Sequence, residues 1–520
     1  MKNSEILVID LFAGPGGLGE GISATQTPDG KFPFHIGVSV EKDMFAHKTL
    51  TTRAFYRLLK RKSQNLDNYY RYLHGEISRE ELFEQHPDEA IEAQIETLNG
   101  PKELGKDNDL IHDRISTLVK DHQGPKVLIG GPPCQAYSLA GRSRNAGNKN
   151  YVAENDTRHF LYKEYLEVIS LAKPDVFVME NVRGILSAKV NGQVMFPQIL
   201  EDLRNPGLVT KQPNIPSYKI YSLVTDAEDP ENPQYEDSTN FLIRCEQYGI
   251  PQARHRVILL GIREDISSTP EILKSCNDQV TVEEAIGDLP SLRSGLSKQK
   301  DNSEDWEDLV SDNANKLQNT LIKQFNADTI SRLNLQPKNR LARKERKLSN
   351  NALNMPVSLQ NWYIDPNLQV VLNHESRGHM ADDLLRYAYC AAYAKIKGVS
   401  PKSRDFPKEL APAHANWETG THADRFRVQV ANKYATTITS HISKDGHYFV
   451  HYDPQQCRSL SVREAARLQT FPDNYIFEGN RTNQYVQVGN AVPPYLAKKI
   501  GEIITKIFKE NQSPINKLTS

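Results

Sequence analysis

The stretch Val127-Leu-Ile-Gly-Gly-Pro-Pro-Cys134-Gln135 decides how the chain is read. An apolar run that reads as a buried strand ends in two glycines, two prolines and one cysteine. In an open α/β sheet, ligands and chemistry collect outside the carboxyl ends of the strands. Proline fixes φ and stiffens the turn, so the thiol is held in one place, as a nucleophile needs. Taken alone, the cysteine would more often be a small core residue, because free Cys is among the most buried types. The motifs around it shift that balance.

Working outward, Ile6-Leu-Val-Ile-Asp10 reads as a short strand. It runs into Leu11-Phe-Ala-Gly14-Pro-Gly16-Gly17-Leu18-Gly19, a glycine-rich turn that opens a helix. His35 to Val40 reads as a second strand and ends in Glu41. Further strands are expected at 175–180, 219–224, 241–245 and 256–262, with a helix over 158–171. Strands alternating with helices predict an α/β fold with a doubly wound, mostly parallel sheet, Rossmann-like in type. Residues 43–107 are polar and helical in pattern, with an N-cap at Ser78, and read as a helical pair inserted between strands. From about 265 to 425 the pattern loosens. Regular signals return with the helix begun by Ser461 and another after Val492-Pro-Pro494. The expected organisation is a catalytic region over 1–264, a smaller inserted region over 265–425 and a return to the first region over 426–510.

The chain has 520 residues, 25% charged and 38% hydrophobic, which suits a soluble protein of several domains. No apolar run approaches the ~20 residues needed to span a bilayer, and no secretory leader is evident. The five cysteines show no paired spacing, so neither disulfides nor a zinc site is expected, and a reducing cytoplasm fits. The net charge of −1 gives no overall nucleic-acid signal. A local basic surface is still open to phosphates.

Each remaining motif is weak alone. The glycine turn suits close approach of a ligand to a helix N-terminus, but it suits tight packing as well. Its spacing differs from a phosphate loop, because no Gly-Lys-Ser/Thr follows. Phe12 within the turn suits an adenine, and Glu41 suits ribose hydroxyls. Glu180-Asn-Val182 ends a strand where a carboxylate is placed for general acid work. Gln252-Ala-Arg254-His-Arg256 puts two arginines on one side if extended. His374 and His379 suggest a metal only weakly, since no third ligand is suitably spaced.

Together the motifs resemble the C5-cytosine DNA methyltransferase family. The matching elements are Asp10 to Gly17, Gly131 to Gln135, Glu180 to Val182, Gln252 to Arg256, Arg463 to Pro472 and Gln487 to Pro493, in family order. The resemblance covers roughly 1–42, 108–262 and 430–505.

The resemblance implies a DNA (cytosine-5-)-methyltransferase using S-adenosyl-L-methionine (AdoMet) and no metal. Cys134 is the implied nucleophile. Glu180 would bind cytosine N3 and the exocyclic amine, and Arg256 the base O2, with Arg254 supporting that site. The implied cofactor set is Asp10, Phe12, Ala13, Gly14, Gly16, Gly17, Leu18, Glu41 and Asn490. Asp113 is the candidate for the adenine amine, although Asp113-Arg-Ile115 departs from the family's Gly-Asp-Ile/Val pattern. The implied substrate is double-stranded DNA with the target base flipped out of the helix. Ser138 to Lys149, with two interior glycines and three cations, would close over it.

Residues 265–425 would read sequence. Within them Lys338 to Lys347 carries six cations and one acid and is expected as a helix, facing phosphates or solvent. His374, Arg377, His379, Arg425 and Arg427 are side chains able to reach base edges. The implied setting is a cytoplasmic bacterial monomer serving a restriction–modification system, beside a cognate endonuclease without obligate contact. The alternatives are a tRNA cytosine-5 methyltransferase on the same scaffold, a catalytically silent DNA-binding protein and, remotely, an NAD-dependent oxidoreductase.

Overall fold

The computed structural model describes residues 5–133, 158–190, 192–276, 278–338, 340–412, 417 and 424–512. Cys134 and the segment 138–149 lie outside them.

One sheet of seven strands organises the molecule. Its strands are β1 (Ile6–Leu11), β2 (Phe34–Val40), β3 (Lys126–Gly130), β4 (Val176–Val182), β5 (Tyr218–Tyr221), β6 (Leu242–Arg244) and β7 (His255–Arg263). The order is β2-β1-β3-β4-β7-β5, with β6 also pairing to β7. β2, β1, β3 and β4 are parallel, and β7 runs antiparallel to β4, β5 and β6. Only β7 therefore runs against the rest. The expected mostly parallel sheet is present, and each expected strand lies in it.

Both faces of the sheet are covered, so its strands read as continuous apolar runs rather than alternating ones. In β1, Ile6 and Val8 pack into one core with Ile22, Leu496 and Ile500. Leu7, Ile9 and Leu11 pack into the other with Ile115, Leu166 and Ile169.

The expected helical pair is instead four helices: α1 (Gly17–Ser23) is followed, after β2, by α2 (Met44–Arg61), α3 (Asp67–His74), α4 (Arg79–Gln85) and α5 (Pro87–Glu96). Short polar links hid two helix breaks from a periodicity reading. The Asp43 carboxylate caps α2 by accepting from the Phe45 and Ala46 amides. Ser78 caps α4 in a reciprocal capping box with Glu81, as read from sequence. This helical group is built into the molecule. Thr49 donates to Gln487 at 2.6 Å, and Thr52 donates to Glu478 at 2.9 Å. Arg53 bridges Glu20 of α1 and Asn474.

Within the 265–425 segment, Ile266 and Leu273 pack into the first core of the sheet, and Val282 and Ile286 into a core shared with 435–491. A separate core forms around the helices Ser303–Gln324 and Ala381–Lys397, closed by Phe426, Val428 and Val450. The described part of Lys338 to Lys347 is irregular rather than helical, with isolated bridges from Lys344 to Glu375 and from Lys347 to Val370. Strand-like bridges to a neighbouring segment take the main-chain groups that a helix would have used.

The helix Val462–Leu468 begins at Ser461, capped reciprocally by Glu464, and is buried throughout. Its arginines are structural. Arg463 donates to the carbonyls of Leu372, Pro472 and Tyr475. Arg467 pairs with Asp288 and Asp473, and Arg458 pairs with Glu464. These contacts fasten the middle segment to the C-terminal one. Among the described residues, no helix is long and apolar enough to cross a membrane.

Candidate active site

The carboxyl ends of β1, β2, β3 and β4 meet at one edge of the sheet, where a cavity of about 360 Å³ opens. Phe12 and Gly14 after β1, Glu41 after β2, Gly131 to Pro133 after β3 and Glu180 near the end of β4 all line it. Asn490 closes it from the C-terminal segment. A pocket of a few hundred Å³ with few polar groups is of the size that holds a nucleoside cofactor.

The glycine turn divides into two functions. Phe12 and Gly14 have φ of 55° and 57°, in the left-handed region. A β-carbon on Gly14 would meet nothing within 4 Å, so the turn leaves open space on the pocket side. A β-carbon on Gly17 would instead lie 2.3 Å from the Val492 carbonyl, and one on Gly21 would lie 2.0 Å from that of Pro494. Open space and tight packing thus belong to different glycines of this turn. Ala13 donates its amide to the Val40 carbonyl, Gly16 packs beneath Tyr475, and Leu18 is in the core.

Asp10, Ala13, Gly16, Gly17 and Leu18 do not line the cavity, although they shape the turn that does. Asp10 is fully enclosed. Its carboxylate faces α1, where a β-carbon on Gly19 would lie 2.8 Å from Oδ2, and neither oxygen has a hydrogen-bond partner. Burial holds its pKa well above the usual carboxylate range.

Glu41 accepts from the Gly14 amide and the Asp43 amide, both at 2.7 Å, so the acid is fixed at the pocket wall. Burial raises its pKa against these hydrogen bonds. Asp113 corrects the sequence reading. It sits exposed on α6 (Asn108–Asp121) and does not line the cavity. Glu103 and Leu104 occupy that wall instead, with Leu161 beside them. Sequence reasoning missed all three because they lie in no motif. The one available signal was the turn begun by Pro101 between two helices.

The catalytic edge is built around Glu180. Its Oε1 lies 2.7 Å from Arg256 Nε across the β4–β7 pairing. A β-carbon on Gly131 would lie 2.8 Å from Glu180 Oε2, so that glycine makes room for the carboxylate. Asn181 donates to the Pro132 carbonyl at 3.0 Å and anchors the turn that leads to Cys134. Cys134 itself lies outside the described residues.

Arg254 departs from the expectation of a shared arginine face. It is 1% exposed and donates to the carbonyls of Ile438 and Gly489 at 2.7 and 3.3 Å. Burial, with Arg256 nearby, pushes its pKa down to about 9. Its work is to hold the C-terminal segment against β7.

The histidines expected at base edges are also buried. His374 contacts Ser461 Oγ and the Pro290 carbonyl, and His379 contacts Tyr387 and Ser459. Arg377 donates to the carbonyls of Ile442 and Lys444. Arg427 pairs with Asp424. In the basic stretch, Lys338 pairs with Asp453, Arg343 with Glu375, and Arg346 with the Leu73 carbonyl, whereas Lys344 and Lys347 remain exposed. No metal-binding group of His, Cys, Asp and Glu occurs among the described residues.

A mostly parallel, doubly wound sheet with a cavity over a glycine turn is a Rossmann-like architecture suited to a nucleoside cofactor. The model of the C-5 cytosine-specific DNA methylase family matches residues 93–506. A type II methyltransferase of Bacillus paralicheniformis, M.Bpa9945I, is 33% identical, over 97% of this chain and 99% of its own length. M.DdeI of Desulfomicrobium norvegicum, also a type II methyltransferase, is 26% identical over 98% of this chain and 90% of its own. Among solved structures, a protein assigned as a DNA modification methyltransferase encoded within a prophage (E. coli) superposes with a TM-score of 0.51 at 18% identity, covering 97% of this chain and all of its own. The chain belongs to the C-5 cytosine-specific DNA methylase family and is a DNA (cytosine-5-)-methyltransferase. Membership implies DNA as substrate and AdoMet as methyl donor.

Proposed function

We propose that the chain methylates C5 of a flipped cytosine in a specific duplex sequence through a covalent Cys134–C6 adduct. The observation that carries this reading is Glu180, which lines the cavity with Pro132 and Pro133 and is held 2.7 Å from Arg256.

The cavity fits the cofactor. Phe12 would face adenine, Glu41 would accept from the ribose hydroxyls, and the open side of Gly14 would admit the main body of the molecule. Asn490 would close the pocket. Bound AdoMet supplies an electrophilic methyl group.

Cytosine C5 is a poor nucleophile. The Cys134 thiolate adds to C6, forming an S–C6 bond, and the electron pair of the C5–C6 double bond shifts into the ring. Glu180 protonates N3, which favours that shift, and accepts from the exocyclic amine. Arg256 donates to O2. C5 then takes the methyl as the sulfonium S–CH3 bond breaks and the sulfide departs as S-adenosylhomocysteine. C5 loses its proton to a base, the S–C6 electrons return to the thiolate as the C5–C6 double bond re-forms, and N3 returns its proton to Glu180. This is nucleophilic catalysis assisted by general acid catalysis.

Residues 265–425 are proposed as the target recognition segment, with Lys344 and Lys347 toward phosphates. The type II naming of the relatives supports a modification role in a restriction–modification system, in a bacterial cytoplasm. Methylation-sensitive sequencing of DNA from cells expressing this chain tests the reading. It predicts 5-methylcytosine at one recurrent sequence, and unmodified DNA would overturn it.

A further inference from the structure

A second cavity, of about 430 Å³, lies near the other end of the edge strand. It takes Phe34, His35 and Ile36 from the start of β2, whereas the cofactor cavity takes Val40 and Glu41 from its end. At ~3.3 Å per residue these walls are roughly 15–20 Å apart along the strand. The rest of the wall comes mainly from α1, α2 and residues 361–367 of the middle segment, with Phe32, Tyr70, Glu96, Asn474 and Lys498 also lining it.

The charges in this cavity are unevenly satisfied. Its three acids are each engaged by protein donors. Glu20 is held by Arg53 at 2.9 and 2.5 Å, and Glu96 by Arg57 at 2.6 Å. Asp365 accepts from the Tyr70 hydroxyl at 2.7 Å and from Asn474 at 2.6 Å. Lys60 and Lys498 form no ion pair among the described residues. Each lies over a ring instead, Lys60 Nζ 5.2 Å from the Phe32 centroid and Lys498 Nζ 5.6 Å from that of Trp362. Arg57 Nη1 is enclosed without a hydrogen-bond partner among the described residues. The result is an aromatic-walled cavity with surplus donors and positive charge.

We propose that this cavity is a second ligand site, for a small heteroaromatic anion of the nucleoside monophosphate class. Lys60 and Lys498 would hold the phosphate, with the ring against Phe32 and Trp362. The volume exceeds what an inorganic anion fills, and the rings give a planar group apolar surface. Charge-assisted hydrogen bonds from lysine favour phosphate. The occupant would join the sheet edge, the helical group and the middle segment.

The test uses the full chain saturated with S-adenosylhomocysteine, so that the cofactor cavity is filled. Calorimetry is run with each of the four nucleoside monophosphates, and separately with adenosine and inorganic phosphate. At least one monophosphate should bind once per chain, about tenfold or more tighter than either fragment. Lys60→Met with Lys498→Met should weaken it by about tenfold or more, since the charge-assisted hydrogen bonds to the phosphate are lost. Methyl transfer to DNA without added nucleotide should be unaltered. Lys60 is exposed and Lys498 half-buried, so the variant keeps its core. Absence of binding by all four, unaltered affinity in the variant, or displacement by S-adenosylhomocysteine would each overturn the proposal. Loss of DNA affinity in the variant would assign these lysines to DNA instead.

Discussion

Arg256 Nε lies 2.7 Å from Glu180 Oε1, so the two groups proposed to grip the base are already paired across adjacent strands. The β4–β7 register sets Arg256 opposite Val182 and Ile258 opposite Glu180, which makes the contact diagonal. The carboxylate is oriented before a base arrives, and its second oxygen stays beside Gly131. Glu180→Gln keeps the shape and removes the acid. It should lower kcat by ~10²–10⁴-fold, the usual range for a positioned acid, and leave AdoMet affinity unaltered by calorimetry. A variant with native kcat would remove Glu180 from the chemistry.

Cys134→Ser should abolish methyl transfer, because a hydroxyl is a far weaker nucleophile at neutral pH. DNA and AdoMet binding should largely persist. With 5-fluorocytosine at the target, the native chain should form a trapped adduct, since fluorine does not leave as a proton does. An adduct formed equally by the Ser variant, seen by denaturing electrophoresis, would rule out the assignment.

The two kinds of glycine in the turn give a paired test. Gly14→Ala places a methyl in open space, at some strain because φ is 57°. It should chiefly weaken AdoMet binding. Gly17→Ala drives a methyl into the Val492 carbonyl and should chiefly lower Tm. Phe12→Ala and Glu41→Ala should weaken AdoMet by calorimetry, the latter by ~1–3 kcal/mol for a buried group left unpaired. If the Phe12 and Glu41 variants bind AdoMet as the native chain does, the cavity is not the cofactor's.

Target choice should move with residues 265–425 when that segment is exchanged with a relative's, provided the chimera folds. Sequencing of methylated DNA reads the outcome, and a chimera keeping the native target would refute it. Within the segment, only Lys344 and Lys347 of the four basic residues Arg343 to Lys347 are both exposed and without an ion pair among the described residues. Their neutralisation should weaken specific and non-specific duplexes about equally, because phosphate contacts carry no sequence information directly. The salt slope should fall by ~0.9 for each phosphate that is no longer neutralised. Unaltered salt dependence would make them solvent-facing only.

Stability should fall below neutral pH. Burial pushes His374 down to about 4 and His451 down to about 3, with Arg458 adding repulsion at both. Both are neutral when folded and protonate near ~6.5 when unfolded. Their contribution is complete above ~6.5 and is lost as pH falls toward 4, by ~1.4 kcal/mol per pH unit for each. For Glu464, burial raises the pKa, but the bidentate Arg458 guanidinium outweighs it and holds the carboxyl low. Its contribution is present above its unfolded value of ~4.3 and is lost below that. Tm should therefore decline steadily from pH 7 to 4.5. His451→Gln should flatten that decline by about one proton, and an unchanged slope in this variant would contradict the assignment.

Sequence patterning made the sheet and its catalytic edge legible, because the strands are short apolar runs and the motif residues sit at strand ends. Phe12, Glu41 and Glu180 follow from that placement alone. Asp113 did not, because a helix turns its acid outward and nothing local distinguishes it from Glu103. His374, Arg377 and Arg254 misled for one reason. Apart from the Nε atoms of Arg254 and Arg377, their polar groups meet carbonyls or hydroxyls distant in sequence, so they read as surface residues while serving the interior.

The sequence by itself determined the fold class and the family, since both rest on local apolar runs and contiguous motifs. Tertiary structure alone decided which residues of those motifs face the cavity. Gly17 lies against Val492, far along the chain, while Gly14, three residues away, meets open space. It also decided that the described part of the basic stretch is irregular and half occupied by protein partners, and that two lysines line a second cavity with no ion pair among the described residues. Those outcomes depend on close approach between distant segments, and local propensity and periodicity carry no information about it.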